Sequence, residues 1–495
     1  MHLHHHSLLS FLAIPLFPEI VQGADIQSAA QAGGPAACRQ LSSAFPSLLF
    51  SSDTAIYANQ SHLPWSQTCL LSPSCVFLPQ DAEDVSHALR IIKMTRAPFS
   101  VIGAGHMPVP GAASIDHGVM ISLHDLKHRQ LSEDLSVVQI GPVRPGRQRG
   151  SLRQVGVGGL LLGGGIGYFS SQVGWGANSV VQYEVVLPDS SIVQVNAASH
   201  PVLFWALKGG SNYFGIVTRF DMKTIPLGDA FYSGKIWTSA STLPWLDALN
   251  AYLASGGGAE DVKAAIMPMI ALTPSDGVSE VISLKFYADA VNEPKAFKNF
   301  TAIDGPTLLN ESGVGPWTYL PTALNTPAYA AKDKRSFGPS ASRRIRGPLA
   351  SSITQSLIRH ARPYSMSLTC RSASASSPSP KHGLKPPRLW GVDAMDLDPN
   401  DAPFIAGLMS STWFNAADDA AVRDFSRNAA NSIRQQTAAL GLVHSFLCLN
   451  DAGVGQTPFR SYGNGSRLKR LQAIQREYDR DGVFHNLLAH GFLLQ

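Results

Sequence analysis

The 495-residue chain has no apolar run long enough to cross a bilayer, no C-x-x-C pair, no cysteine/histidine set at zinc spacing and no stripe of basic residues interleaved with aromatics. Each absence removes a class. A spanning helix needs about 20 apolar residues, and the apolar run Ser7–Phe17 falls well short. No metal site is expected from the cysteine and histidine spacing. The formal charge of +4 is small for this length and only 15% of residues are charged, so nucleic acid is not an expected partner. What remains is an ordinary globular composition, long enough for two or three domains with a sizeable core.

The first residues read as an export leader. Ser7–Phe17, "SLLSFLAIPLF", has the length of a signal-peptide core and is followed by a small-residue exit near Gln22–Asp25, although His2, His4, His5 and His6 stand where lysine or arginine is usual. Four sequons, at Asn59, Asn299, Asn310 and Asn464, suit a glycosylated, secreted protein. Of the five cysteines, Cys38 can pair with Cys69 or with Cys75 once exported, and the odd number leaves at least one thiol over.

Along the chain, Cys75–Lys93 starts as a short strand and turns at Pro79 into an amphipathic helix, with Asp81, Glu83 and Asp84 at its positive end. Pro98–Val101, Val119–Leu123 and Ser136–Ile140 read as further short strands, and Gln182–Leu187 with Ile192–Val195 as a hairpin. From about Leu227 the segments lengthen: Val281–Ala290 alternates as a strand, Ala420–Leu440 has the period of an exposed helix, and Leu471–Leu487 is a helix followed by a turn at Asp481-Gly482. A second domain follows from this change. Between Asp333 and Asp393 there is no acidic residue, while arginine, lysine, serine and proline abound. That block reads either as a disordered basic loop or as a faulty conceptual translation, because periodic patterning stops near Phe337 and resumes near Val392.

Glycine is the opposite of scarce. Gly156–Gly167, "GVGGLLLGGGIG", holds seven glycines among leucines, whereas a flexible linker pairs glycine with serine. Two more glycine-bearing segments, Gly103–Gly118 and Leu203–Lys223, lie nearby. None has the strand, helix and acidic ribose partner of a Rossmann site in order. Three separated bare-backbone loops suit a long ligand lying across the domain, with main-chain N–H groups around a pyrophosphate.

Those three segments, together with Tyr183–Asp221 and the tail "SYGNGSRLKRLQAIQREYDRDGVFHNL", resemble the FAD-linked oxidoreductases with a vanillyl-alcohol-oxidase (PCMH-type) flavin domain, in the fungal berberine-bridge-enzyme-like branch. The resemblance implies an α+β fold: a two-part FAD-binding domain over 25–226 (core about 71–226) behind a leader 1–24, a substrate domain 227–440 with an antiparallel sheet covered by helices, and a segment 441–495 returning to the FAD domain. It places Gly103, Ala104, Gly105, Gly156, Gly158, Gly159, Gly163, Gly164, Gly165, Gly215, Ile216 and Val217 at the FAD, and His106 where the family bonds a histidine to the flavin 8α-methyl. The family's second flavin bond, through a cysteine, has no counterpart near Leu152. Tyr462 is the catalytic candidate. The activity implied is hydride transfer from a small alcohol, phenol, sugar or secondary metabolite to flavin N5, with molecular oxygen as acceptor, by an extracellular monomer. The short stretch Gly141–Gln154, where the family carries a longer strand and helix, and the basic block favour instead a secreted protein that keeps the fold without catalysis; a nicotinamide-dependent dehydrogenase is a distant third.

Overall fold

The Asp81 carboxylate accepts from the Asp84 backbone N–H at 2.9 Å and so caps the helix Ala82–Thr95, whose buried stripe includes Val85, Ala88, Leu89 and Ile92. Arg96, in the left-handed region, closes its other end and sends the chain into the strand Phe99–Ile102. That connection gives a sheet in the computed structural model, which describes residues 21–143, 155–273, 277–317, 334–337, 341–344, 365–373, 393–397, 404–413 and 415–495. The sheet has four strands in the order Leu49–Phe50, Cys75–Phe77, Val119–Ser122 and Phe99–Ile102, the last three parallel.

A second sheet, wholly antiparallel, runs Arg129–Leu131, Val137–Ile140, Ile216–Lys223, Val180–Val186 and Ile192–Asn196. The hairpin expected over 182–195 is here, in register Gln182 to Asn196. The helix Ala82–Thr95 shares one buried cluster with Val186 and Ile216 of this sheet, so the two sheets are joined through it. The fold is α+β, as the patterning implied.

From Ala230 onward the chain builds a nine-stranded antiparallel sheet around the long hairpin Ala264–Thr273 and Gly277–Tyr287. The helices Thr242–Leu253 and Asp419–Ala439 cover one face, where Trp245, Leu249, Val281 and Ile433 share a core. The second of these helices is not simply exposed: Val422, Ala429 and Ile433 form a buried stripe. Within the basic block the described residues Ala341–Arg344 and Ser365–Ala373 are strands of this sheet, paired to Phe404–Trp413. The leader core, the stretch 144–154 and most of the basic block lie outside the described residues.

Three ties bring remote segments together. Cys38 is bonded to Cys75, which decides between the two pairings open to it. Cys69 and Cys448 are buried and outside any disulfide among the described residues, and burial pushes the Cys69 thiol up to about 11. The tail returns to the two smaller sheets: the Ala489 N–H donates to the Phe99 carbonyl at 2.8 Å. Finally, Asp393–Leu397 threads between both, its Ala394 N–H donating to Lys208 and its Met395 carbonyl accepting from Gly463. Asp393 is fully buried; it accepts from Asn178 and from the backbone N–H groups of Met395 and Asp396, while desolvation still pushes its carboxyl up to about 6.

Candidate active site and cofactor cleft

Where the strand Phe99–Ile102 ends and the strand Ile216–Lys223 begins, the two smaller sheets leave an elongated cleft. It encloses about 1390 Å³ of empty space, mouth included. Its wall is made of the three glycine-bearing segments: Gly103, Ala104, Gly105 and His106 from the first, Gly156, Gly158 and Gly159 from the second, and Gly215, Ile216 and Val217 from the third. These ten residues, separated by up to about 110 positions, are the part of the expected site that the fold brings together.

The bareness of that wall can be tested position by position. Among the described residues outside its own helix, a Cβ on Gly159 would meet no atom within 4 Å, and one on Gly103 only the Pro142 carbonyl at 3.9 Å, so side chains there would occupy the cleft itself. Gly105 is different: it holds φ +73° and lies against Leu63 and Pro64, so glycine serves the turn of the loop. Gly156, Gly158 and Gly215 would set a Cβ 3.0, 3.3 and 2.6 Å from Ala104, Pro142 and Val185, so it is Gly103 and Gly159 that keep cleft space open, which fits a long, flat ligand such as FAD.

Gly163, Gly164 and Gly165 are not in the wall. A Cβ on Gly163 would stand 1.8 Å from the Asn450 carboxamide oxygen, one on Gly164 2.6 Å from the Met395 sulfur, and one on Gly165 3.1 Å from Leu160. These three lie outside the lining of the cleft, with protein side chains packed on them. Tyr462 is not among the residues lining the cleft. It is wholly buried between Phe446 and Phe459, its hydroxyl donates to the Gly209 carbonyl at 2.9 Å, and burial holds its phenol well above the usual range.

The structure adds residues that no local motif announced. Asn450 reaches the cleft from the tail; its Nδ2 donates to the Leu160 carbonyl at 3.0 Å, and its Oδ1 is buried with no partner among the described residues. His490 lines the same cleft, stacked on Tyr213 at 4.2 Å with 9° between the planes. Its Nε2 faces the Phe484 carbonyl at 2.8 Å, and since a carbonyl only accepts, Nε2 carries the proton and Nδ1 is a bare acceptor. Burial pulls this imidazole down to about 4, so it is neutral at ordinary pH. Unfolded, the ring takes its proton near 6.5, and folded only near 4. Stability is therefore lost as pH falls through that window. Thermal melts of wild type and His490→Phe from pH 7 to pH 4 should show the wild type losing stability relative to the variant; parallel curves would contradict this reading. Among the described residues no group of three or more His, Cys, Asp or Glu lies close enough to hold a metal ion, and no helix is long and apolar enough to cross a membrane.

A cleft walled by three glycine-bearing loops between a parallel and an antiparallel sheet defines a protein that binds a long dinucleotide outside any Rossmann turn. Residues 73–148 match the FAD binding domain family. The chain is 34% identical, over 99% of both chains, to the FAD-dependent monooxygenase prx3 of Penicillium roqueforti. Among solved structures it superposes on the berberine-bridge-enzyme-like 1 protein of Physcomitrella patens with a TM-score of 0.72 at 16% identity, covering 92% of this chain and 99% of that one. A TM-score of 0.69 at 18% identity, over 92% and 99%, relates it to the glucooligosaccharide oxidase of Acremonium strictum, described as carrying 6-S-cysteinyl, 8α-N1-histidyl FAD. The chain belongs to the fungal FAD-dependent monooxygenases and FAD-linked oxidoreductases, it shares its fold with the berberine-bridge-enzyme-like protein, and FAD is its cofactor.

Proposed function

We propose that the protein is a secreted oxidase that takes hydride from a small alcohol, phenol, sugar or secondary metabolite and passes the electrons to molecular oxygen, with its FAD bonded through His106. The observation that carries this reading is the presence of His106 in the cleft wall beside Gly103, Ala104 and Gly105. FAD, when bound, supplies the hydride acceptor. The protein's own residues hold it: Gly103 and Gly159 leave room for it, and Asn450 and His490 line the same cleft. Tyr168 and Phe169 meet Phe286 of the nine-stranded sheet and Trp317 just beyond it, with ring centroids 5.2 to 5.6 Å apart. Export is supported by the leader, the sequons and the Cys38–Cys75 bond.

The His106 link has a direct test. Wild-type protein denatured on a gel should remain fluorescent, and the peptide containing Gly103–Pro110 should be heavier by the mass of FAD. His106→Ala should release its flavin on denaturation yet keep it when folded, because the glycine wall is untouched. Complete loss of flavin from denatured wild type would reduce His106 to a contact.

A further inference from the structure

We propose that Trp65 is the positioning residue that presents the His106 imidazole to the flavin for attachment. This rests on the reading of His106 given above.

The indole of Trp65 stacks on the imidazole, centroid to centroid 4.9 Å with 27° between the planes. Three further contacts fix that face in place. The Trp65 backbone N–H donates to the Gly105 carbonyl at 2.8 Å, one residue before the histidine. Gly105 turns with φ +73° against Leu63 and Pro64, so the two loops are in register. The indole itself is buried and packs with Met107 and with Leu408 of the nine-stranded sheet. Trp65 is absent from the cleft wall while His106 is part of it, so the imidazole is held between the cleft and a rigid aromatic backing.

A histidine in a loop ordinarily samples several rotamers, and only one brings a ring nitrogen onto a given carbon. Attachment forms one N–C bond at the flavin 8α carbon and breaks one C–H and one imidazole N–H bond. Two electrons and two protons remain on the flavin ring, and dioxygen removes them as hydrogen peroxide. Its rate depends on how often nitrogen and carbon are aligned, and a misplacement of about 1 Å costs on the order of 100-fold in such a step. A flat stacked wall restricts the ring to one plane. An aliphatic wall does not.

The test separates attachment from binding. Wild type, Trp65→Phe, Trp65→Leu and Trp65→Ala are produced under riboflavin limitation and then supplied with FAD. Total bound flavin and acid-stable flavin are followed in parallel, with circular dichroism to confirm folding. Trp65→Leu keeps the contact with Leu408 and Met107, so it decides the matter should Trp65→Ala not fold. Trp65→Leu should bind FAD within about 3-fold of wild type while acid-stable flavin forms at least about 10-fold more slowly; Trp65→Phe, which keeps a flat face, should attach at close to the wild-type rate. Attachment by Trp65→Leu at the wild-type rate, equal slowing in Trp65→Phe, or a parallel loss of FAD affinity would each overturn the proposal. Wild type that never acquires acid-stable flavin would show instead that the His106 reading itself fails.

Discussion

Gly159→Leu is expected to yield folded, colourless protein. The position lies in the helix Val157–Leu162, so leucine suits the backbone better than glycine does. Among the described residues outside its own helix, no atom lies within 4 Å of the new Cβ. The side chain enters the cleft instead and takes volume that FAD needs. Overpacking a well-fitted site by a few methylenes costs about 1–3 kcal/mol or more, and a rigid tricyclic ring has little freedom to shift aside, so FAD affinity should fall by roughly 100-fold or more. Unfolding of the apoprotein should move by less than about 1 kcal/mol. Flavin titration of refolded apoprotein and a thermal melt together check both halves.

Gly164→Val, five residues on, should do the reverse. Gly164 holds φ +102°, a region closed to β-branched residues, and the Met395 sulfur stands 2.6 Å from where its Cβ would be. The Met395 backbone is held in place, so only its side chain can give way. Its strap is fixed by the buried Asp393 carboxylate, by the Ala394 bond to Lys208, and by the Asp396 ion pair with Arg467. Backbone strain and overpacking add here, and a loss of several kcal/mol is expected. Denaturant melts of the apoprotein should show that loss with no FAD present. A Gly164→Val protein as stable as wild type that merely failed to hold flavin would return this glycine to the cofactor.

The contrast shows what local pattern carries and what it does not. Asp81, Glu83 and Asp84 before an apolar stripe announced the helix Ala82–Thr95, because caps and dipole partners are local. The hairpin over 182–195 was legible for the same reason. The three loops of the cleft were legible as bare backbone, since glycine density reports that something approaches closely. It does not report what approaches. Gly159 faces open space and Gly164 faces Met395, 231 positions away, and nothing within the glycine stretch distinguishes them. Asn450 and His490 enter the cleft from the tail, and their role depends on contacts to Leu160 and Tyr213 some 290 and 277 residues earlier. Tyr462 shows the converse, a tail tyrosine that looked poised for chemistry and is consumed by packing.

The claim that matters most is that the cleft walled by Gly103–His106, Gly156–Gly159 and Gly215–Val217 holds FAD. Flavin content of the folded wild-type protein tests it most directly, by absorption in the visible and by quantifying flavin against protein after digestion. One FAD per chain, with Gly159→Leu folded and empty beside it, is the predicted result. Folded wild-type protein that is colourless and takes up no FAD when the cofactor is added in excess would contradict it.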